Sequence, residues 1–170
     1  MNNGQVYESF NLASLWKLPV LYIIENNKYG MGTSVNRASS GSELFKRGEP
    51  FGIPGEIVDG MNVFNVIKSA YKAGKHVREG KGPYILEMQT YRYRGHSMSD
   101  PAKYRTKEEL ESYKTKDPIQ FVHEEILNKK ITTEKELEKI NKEIIKKIKN
   151  AADYALESPF PNNEDLYTDV

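Results

Sequence analysis

Residues 18–32, LPVLYIIENNKYGMG, decide the fold. Val20, Leu21, Ile23 and Ile24 form an apolar run consecutive enough to be buried on both faces, as a strand of a parallel sheet is. The run then meets Glu25, Asn26 and Asn27 abruptly. In an open α/β sheet the carboxyl end of a strand is where ligands bind. Asn26-Asn27-Lys28-Tyr29-Gly30 offers amide oxygens, backbone carbonyls and, at Gly30, a residue free to take positive φ. These are hard oxygen donors of the kind a small divalent cation takes.

Upstream of that stretch the spacing predicts a helix over about residues 5–17. Val6, Phe10, Ala13 and Trp16 recur at helical intervals, and Pro19 ends the pattern. A doubly wound domain seldom begins on the helix of a strand–helix–strand unit. The strand that feeds this helix is therefore expected to lie before Met1, which makes the chain part of a longer protein or the product of a split or shortened gene.

Downstream, residues 31–55 show no sustained period and read as an extended loop over the sheet; a loop of that length is usually functional or disordered. A short strand at 56–58 ends at Asp59-Gly60. Asn62 then caps a helix running to about residue 79, with Val63, Val66, Ile67, Ala70, Ala73 and Val77 as its apolar stripe and Gly80 at its carboxyl end. Gly82-Pro83 turns the chain into a strand over 84–90. The order helix, strand, loop, strand, helix, strand implies a parallel sheet with right-handed crossovers. After the loop 91–105, YRYRGHSMSDPAKYR, the pattern is helical. Thr106 with Glu109 forms a capping box, Asp117-Pro118 opens a second helix, and Thr133 with Glu136 opens a third over about 134–157. The third carries Leu137, Ile140, Ile144, Ile145 and Ile148 on one side. Its lysines 139, 142, 146, 147 and 149 read as a solvated face.

Composition narrows the chemistry. A formal net charge of +1 gives no general pull toward nucleic acid, and no apolar run approaches a membrane span. With no cysteine, disulfides, thiolate nucleophiles and cysteine metal sites are excluded. The absence of cysteine fits a reducing compartment.

What remains is the pair of loops at strand ends. Asn26-Asn27 alone is an ordinary turn dipeptide; after an apolar strand and before Tyr29-Gly30 it becomes a candidate magnesium site holding a phosphate. Mg²⁺ takes octahedral oxygens and normally a carboxylate, and no carboxylate here is obviously placed for it. Glu25 is expected to point to a neighbouring element. His96, between Gly95 and Ser97 with Arg92 and Arg94 nearby, is either an exposed loop histidine or a group that donates to an anion or transfers a proton. His76 and His123 read as surface positions. From the residues alone the chain is an α/β domain with a cleft made by loops 26–32 and 91–105. It is either an enzyme binding a phosphorylated cofactor through Mg²⁺ or a non-catalytic interaction module.

Two segments carry a resemblance. NNGQVYESFNLASLWKLPVLYIIENNKYGMGTSV and GKGPYILEMQTYRYRGHSMSDPAKYRT resemble the alpha subunits of the thiamine-diphosphate-dependent 2-oxo-acid dehydrogenases, and the likeness runs to the end of the chain at residues 164–170. The family motif begins with Gly-Asp-Gly and ends with Asn-Asn. The resemblance implies that Asn27 gives a side-chain oxygen to Mg²⁺ and Tyr29 its backbone carbonyl. It implies that His96 lies by the cofactor diphosphate and assists the reaction. Ser97 matches the regulatory phosphorylation site of animal mitochondrial relatives; a second modified serine of those relatives falls at Lys103 here. The loop Arg94-Gly95-His96-Ser97-Met98-Ser99-Asp100 is similar to the pyruvate type rather than the branched-chain type, and acetoin-cleaving relatives share much of it.

The resemblance further implies a thiamine-diphosphate-binding α/β fold: a parallel sheet with flanking helices, a helical C-terminal extension, and N-terminal strands lying outside this chain together with the Gly-Asp-Gly carboxylate. The expected division is a cofactor-binding part over 1–105, a helical extension over 106–158 and a tail over 159–170. The implied activity is oxidative decarboxylation of pyruvate with acetyl transfer to the lipoyl domain of a dihydrolipoyl acetyltransferase, carried out with beta subunits in a heterotetramer. The implied place is the bacterial cytoplasm or the mitochondrial matrix. The chain alone is expected to be inactive or incomplete.

Overall fold

The computed structural model describes residues 1–168. They form two compact units, divided after Val122. The first opens with helix α1, Gly4–Leu15, whose free N–H groups are met by Asn3: its Oδ1 accepts from Gln5 N at 3.1 Å. Phe10 and Ala13 are buried. Trp16 lies past the helix end and is exposed. Strand β1, Leu21–Asn26, follows. Next come a hairpin of β2, Tyr29–Gly30, and β3, Thr33–Ser34, and one turn of helix, α2, Val35–Ala38. Strand β4, Gly55–Asp59, helix α3, Val63–Arg78, and strand β5, Tyr84–Gln89, complete the sheet region.

The sheet is parallel, in the order β1-β5-β4, with Leu21 opposite Tyr84 and Gly55 opposite Ile85. Its centre is β5, where five consecutive residues, Tyr84 to Met88, are buried. Apolar side chains from alternate positions therefore feed two cores. Leu86, Met88 and Val58 pack under α3 with Ala73 and Val77. Ile85 and Ile24 pack under α1 and residues 44–51 with Phe10, Leu44 and Ile53. Ile85 and Leu86 are fully buried, and each such side chain contributes roughly 1.5–3 kcal/mol.

Strand β1 departs from its expected burial on both faces. It pairs only with β5 among the described residues, and Ile23 is 61% exposed. At a sheet edge α3 reaches β5 and β4 but covers β1 incompletely, so burial there alternates. For the same reason Ile67, on the outer flank of the α3 stripe, stays half exposed.

Residues 31–55 are not an extended loop. Beyond the hairpin, Leu44–Phe51 form a 3-10 helix laid on the sheet. Gly48 permits the contact: a Cβ there would stand 3.1 Å from that of Ile53 and collide with Ile85 Cδ1. The cap of α3 agrees with the sequence, since Asn62 Oδ1 accepts from Phe64 N at 3.0 Å and Asn65 N at 3.3 Å. Gly80 takes φ 70° just past the helix end.

Helix α4, Lys107–Lys114, begins at Thr106, and helix α5, Pro118–Asn128, begins at Asp117, whose Oδ1 accepts from Ile119 N at 2.8 Å. In the second unit, helix α6, Glu134–Glu157, is capped by Thr133. On α6, Ile140, Ile144, Ile145 and Ile148 are each more than half exposed. The C-terminal tail is not wholly extended: Asn163–Tyr167 form a 3-10 turn. The tail's last two positions, Asp169 and Val170, lie outside the described residues.

His76 is half-buried rather than fully at the surface. Its ring packs edge-on to Tyr84 at 5.2 Å, and its Nε2 is buried without a hydrogen-bond partner. His123 is half-buried, 3.0 Å from a Glu134 carboxylate oxygen.

Candidate cofactor-binding site

The carboxyl end of β1 turns through a closed set of hydrogen bonds. Asn26, buried, donates from Nδ2 to Glu87 Oε1 on β5 at 2.7 Å. Its Oδ1 therefore faces the other way and accepts from Lys28 N at 3.1 Å. That contact folds the turn and puts Lys28 at φ 73°, with Met31 at φ 55° in the hairpin bend. The positive φ expected at Gly30 thus falls on its neighbours, because the side chain of Asn26, not the freedom of a glycine, sets the turn. Glu25 points outward and is exposed.

The turn brings two polar groups face to face. The Asn27 side-chain amide presents one end to the Tyr29 carbonyl oxygen at 2.7 Å and the other to Arg92 Nη2 at 3.0 Å. With the nitrogen toward Tyr29 and the oxygen toward Arg92, both contacts are hydrogen bonds. With the oxygen toward Tyr29, two acceptors meet at the spacing of adjacent oxygens around Mg²⁺, whose ligands sit at about 2.0–2.1 Å. The same pair of groups can therefore rest on itself or turn toward a cation.

The loop after β5 approaches from the other side. Arg92 spans the two loops, with Nη2 at Asn27 and Nη1 at His96 Nδ1, 3.2 Å away. A guanidinium only donates, so the neutral imidazole accepts at Nδ1 and carries its proton on Nε2. His96 is exposed, and its backbone N–H donates to Asp100 Oδ2 at 2.7 Å. Asp100 also accepts from Ala102 N and from the Tyr104 hydroxyl, each at 2.8 Å. These three bonds, that from His96 N foremost, hold its carboxyl below the ordinary value. Ser97 is exposed, its Oγ 3.1 Å from that of Ser99.

Asn27, Tyr29 and His96 are thus brought into one neighbourhood, but the two loops do not enclose a single cleft. A cavity of about 520 Å³ lies beside the first loop, against Asn26, Asn27, Tyr29, Gly30 and Ser39, and no residue of 91–105 lines it. A second hollow of about 490 Å³ lies between Arg94, Lys103, Arg105 and Lys107. The Tyr29 and Tyr104 rings lie 5.3 Å apart. Among the described residues no three histidines, aspartates or glutamates gather as a metal site.

The description of a dehydrogenase E1 component fits the chain over residues 1–164. The chain belongs to that family. Its relatives in the dehydrogenase E1 family include the pyruvate dehydrogenase E1 component subunit alpha of Rhizobium meliloti (strain 1021), 55% identical over 99% of this chain and 49% of that protein. The protein of the same name from Rickettsia felis is 51% identical over the whole chain and 52% of its own length. The mitochondrial form from Sminthopsis macroura is 47% identical over 97% of the chain. The chain spans about half the length of the curated relatives it matches. No helix among the described residues is long and apolar enough to cross a membrane.

Sequence reasoning singled out Asn27, Tyr29 and His96, gave no role to Arg92 or Glu87, and read Glu109 only as part of a capping box. Arg92 joins the loops. Glu109 reaches back to Tyr29, its carboxylate oxygens each 3.0 Å from the hydroxyl. Glu87 anchors Asn26 from within an apolar strand. The one signal available was the charge itself: a glutamate inside a run that must be buried needs partners.

Proposed function

We propose that this chain provides the cation-side portion of the thiamine diphosphate site in a pyruvate-type 2-oxo-acid dehydrogenase. The observation that carries the reading is the Asn27 amide facing the Tyr29 carbonyl at 2.7 Å at the carboxyl end of a parallel strand. In this reading Asn27 Oδ1 and Tyr29 O hold Mg²⁺; the remaining ligands are phosphate oxygens, water and a carboxylate from elsewhere in the assembly, since Mg²⁺ keeps such a mixed shell. Thiamine diphosphate, when bound, supplies the carbanion chemistry that cleaves the 2-oxo acid. Arg92 holds His96 with its Nε2 proton outward, so that His96 donates to a diphosphate oxygen or to the reacting group.

The whole assembly decarboxylates pyruvate and passes the acetyl unit to a lipoyl group, with a beta subunit completing the site. The exposed isoleucines of α6 support an assembled state, because aliphatic surface of this extent marks interaction faces. A phosphate on Ser97 would add about −1.5 to −2 charges beside His96 and oppose a diphosphate there.

The test is thermal. Mg²⁺ with thiamine diphosphate raises the melting temperature of the chain combined with its beta subunit, and Asn27→Ala cancels most of the rise. A wild-type melting temperature unmoved by both ligands together overturns the reading. Pyruvate-dependent acetylation of a lipoyl domain by the same mixture tests the substrate.

A further inference from the structure

Glu87 is a carboxylate with no exposure at all, on the central strand. Among the described residues it forms no ion pair with a lysine, arginine or histidine. Its partners are three nitrogen donors: Asn26 Nδ2 at 2.7 Å and Gln89 Nε2 at 2.8 Å, both on Oε1, and Phe45 N at 3.0 Å on Oε2. Lys28 Nζ donates to Gln89 Oε1. The bonds therefore close a ring through Glu87, Asn26, Lys28 and Gln89, and a spoke ties the ring to the 3-10 helix Leu44–Phe51. A charged residue is costly in such a place, and an apolar one would satisfy the packing of β5 while leaving the buried Asn26 donor and the part-buried Gln89 and Phe45 donors unpaired.

We propose that Glu87 is a positioning residue for the cation loop. By accepting from Asn26 Nδ2 it forces Asn26 Oδ1 toward Lys28 N. The turn so formed aims the Asn27 side chain and the Tyr29 carbonyl at each other. Gln89, held by the same oxygen, clamps the Lys28 side chain from the opposite side. Loss of a group that orients metal ligands typically weakens metal affinity about 10–100-fold. The assignment rests on the cation reading for its purpose, but not for its geometry.

The experiment compares the wild-type chain with Glu87→Met and Glu87→Gln by NMR, following the Asn27 side-chain amide and the Tyr29 carbonyl. Glu87→Met removes both acceptors at similar volume and displaces both signals, while those of Ala73 and Val77 on α3, in the other core, stay in place. Glu87→Gln keeps one oxygen for the two donors that share Oε1 and restores the wild-type positions. Titration of each form, combined with its beta subunit, with Mg²⁺ and thiamine diphosphate then shows affinity about tenfold or more weaker in Glu87→Met. If Glu87→Met fails to fold, Asn26→Ala carries the test, since it cuts the same link with Glu87 in place and displaces the same two signals. Unmoved Asn27 and Tyr29 signals in the folded variant, or no restoration by Glu87→Gln, overturn the assignment. Wild-type signals that ignore the ligands, with Glu87→Met still displaced, overturn the cation reading and leave the positioning role standing.

Discussion

The Tyr29 hydroxyl lies 3.0 Å from each carboxylate oxygen of Glu109, eighty residues later in the chain. The contact ties the loop 26–32 to the first turn of α4. Glu109 N meanwhile donates to Thr106 Oγ1 at 3.1 Å. Only one half of the expected capping box thus forms: the threonine caps the helix, and the glutamate side chain leaves the cap for a tyrosine. A half-buried phenol gives a carboxylate a stronger partner than the water around an exposed N-cap.

Tyr29→Phe removes that bond and leaves the ring packing on Tyr104 intact. The expected cost is about 1 kcal/mol, at the low end for a bond to a charged group because the pair is only half-buried. Burial first, and then Glu109, push the Tyr29 phenol up to about 12. A raised pKa means that this stabilisation is fully present below the ordinary tyrosine value of 10 and is lost as pH rises toward 12. Melting temperatures of wild type and variant should therefore converge between pH 10 and pH 12. Tyr93, also pushed up to about 12 by burial and by Asp117, keeps some alkaline loss in both proteins.

Asp100 predicts the opposite dependence. Its carboxyl is held low by bonds from His96 N, Ala102 N and Tyr104, so its contribution is present above the ordinary carboxylate value of 3.8 and disappears as pH falls below it. The Ala102 amide resonance, which reports the same carboxylate, should therefore stay fixed through mildly acidic pH and move only below 3.8. Asp100→Ala should speed amide exchange at His96 and Ala102 with little change in melting temperature, because the group is on the surface.

What the sequence made legible was local. Asn62, Asp117 and Thr133 cap the helices they were expected to cap, because a cap is decided within three residues. Strand β1 and the amide-rich turn after it were visible for a similar reason: an apolar run ending in amides is a pattern of neighbours. The contacts that give the site its shape join residues far apart. Asn26 meets Glu87 across 61 positions, and Arg92 meets Asn27 from a different loop. Nothing in the run YILEMQ announces which residue its glutamate will hold. Burial of β1 was overestimated because periodicity reports apolar character, and not whether a second element lies over a given edge.

Asn62→Ala tests a local contact in isolation. The side chain satisfies two of the orphan N–H groups of α3, and its loss should cost about 1 kcal/mol. For a chain of this size that lowers the melting temperature by about 2–4 °C. Differential scanning calorimetry measures it. The site should be unaffected, since α3 begins beyond β4.

Gly95→Ala tests whether the loop geometry, and not only its residues, holds His96. A Cβ on residue 95 would lie 2.9 Å from both Cβ and Cγ of Asp100 and collide with its carbonyl oxygen. The obstacle is backbone, so no rotamer change relieves it. Residues 96–100 must open, which breaks the bond from His96 N to Asp100 and draws Nδ1 away from Arg92. The sheet is untouched, so the melting temperature should change little, while amide exchange over 96–102 accelerates. If His96 acts only when Arg92 fixes its tautomer, Gly95→Ala in the assembled enzyme should lose nearly as much activity as His96→Ala. Retention of activity with the loop demonstrably opened would separate the histidine's chemistry from this geometry.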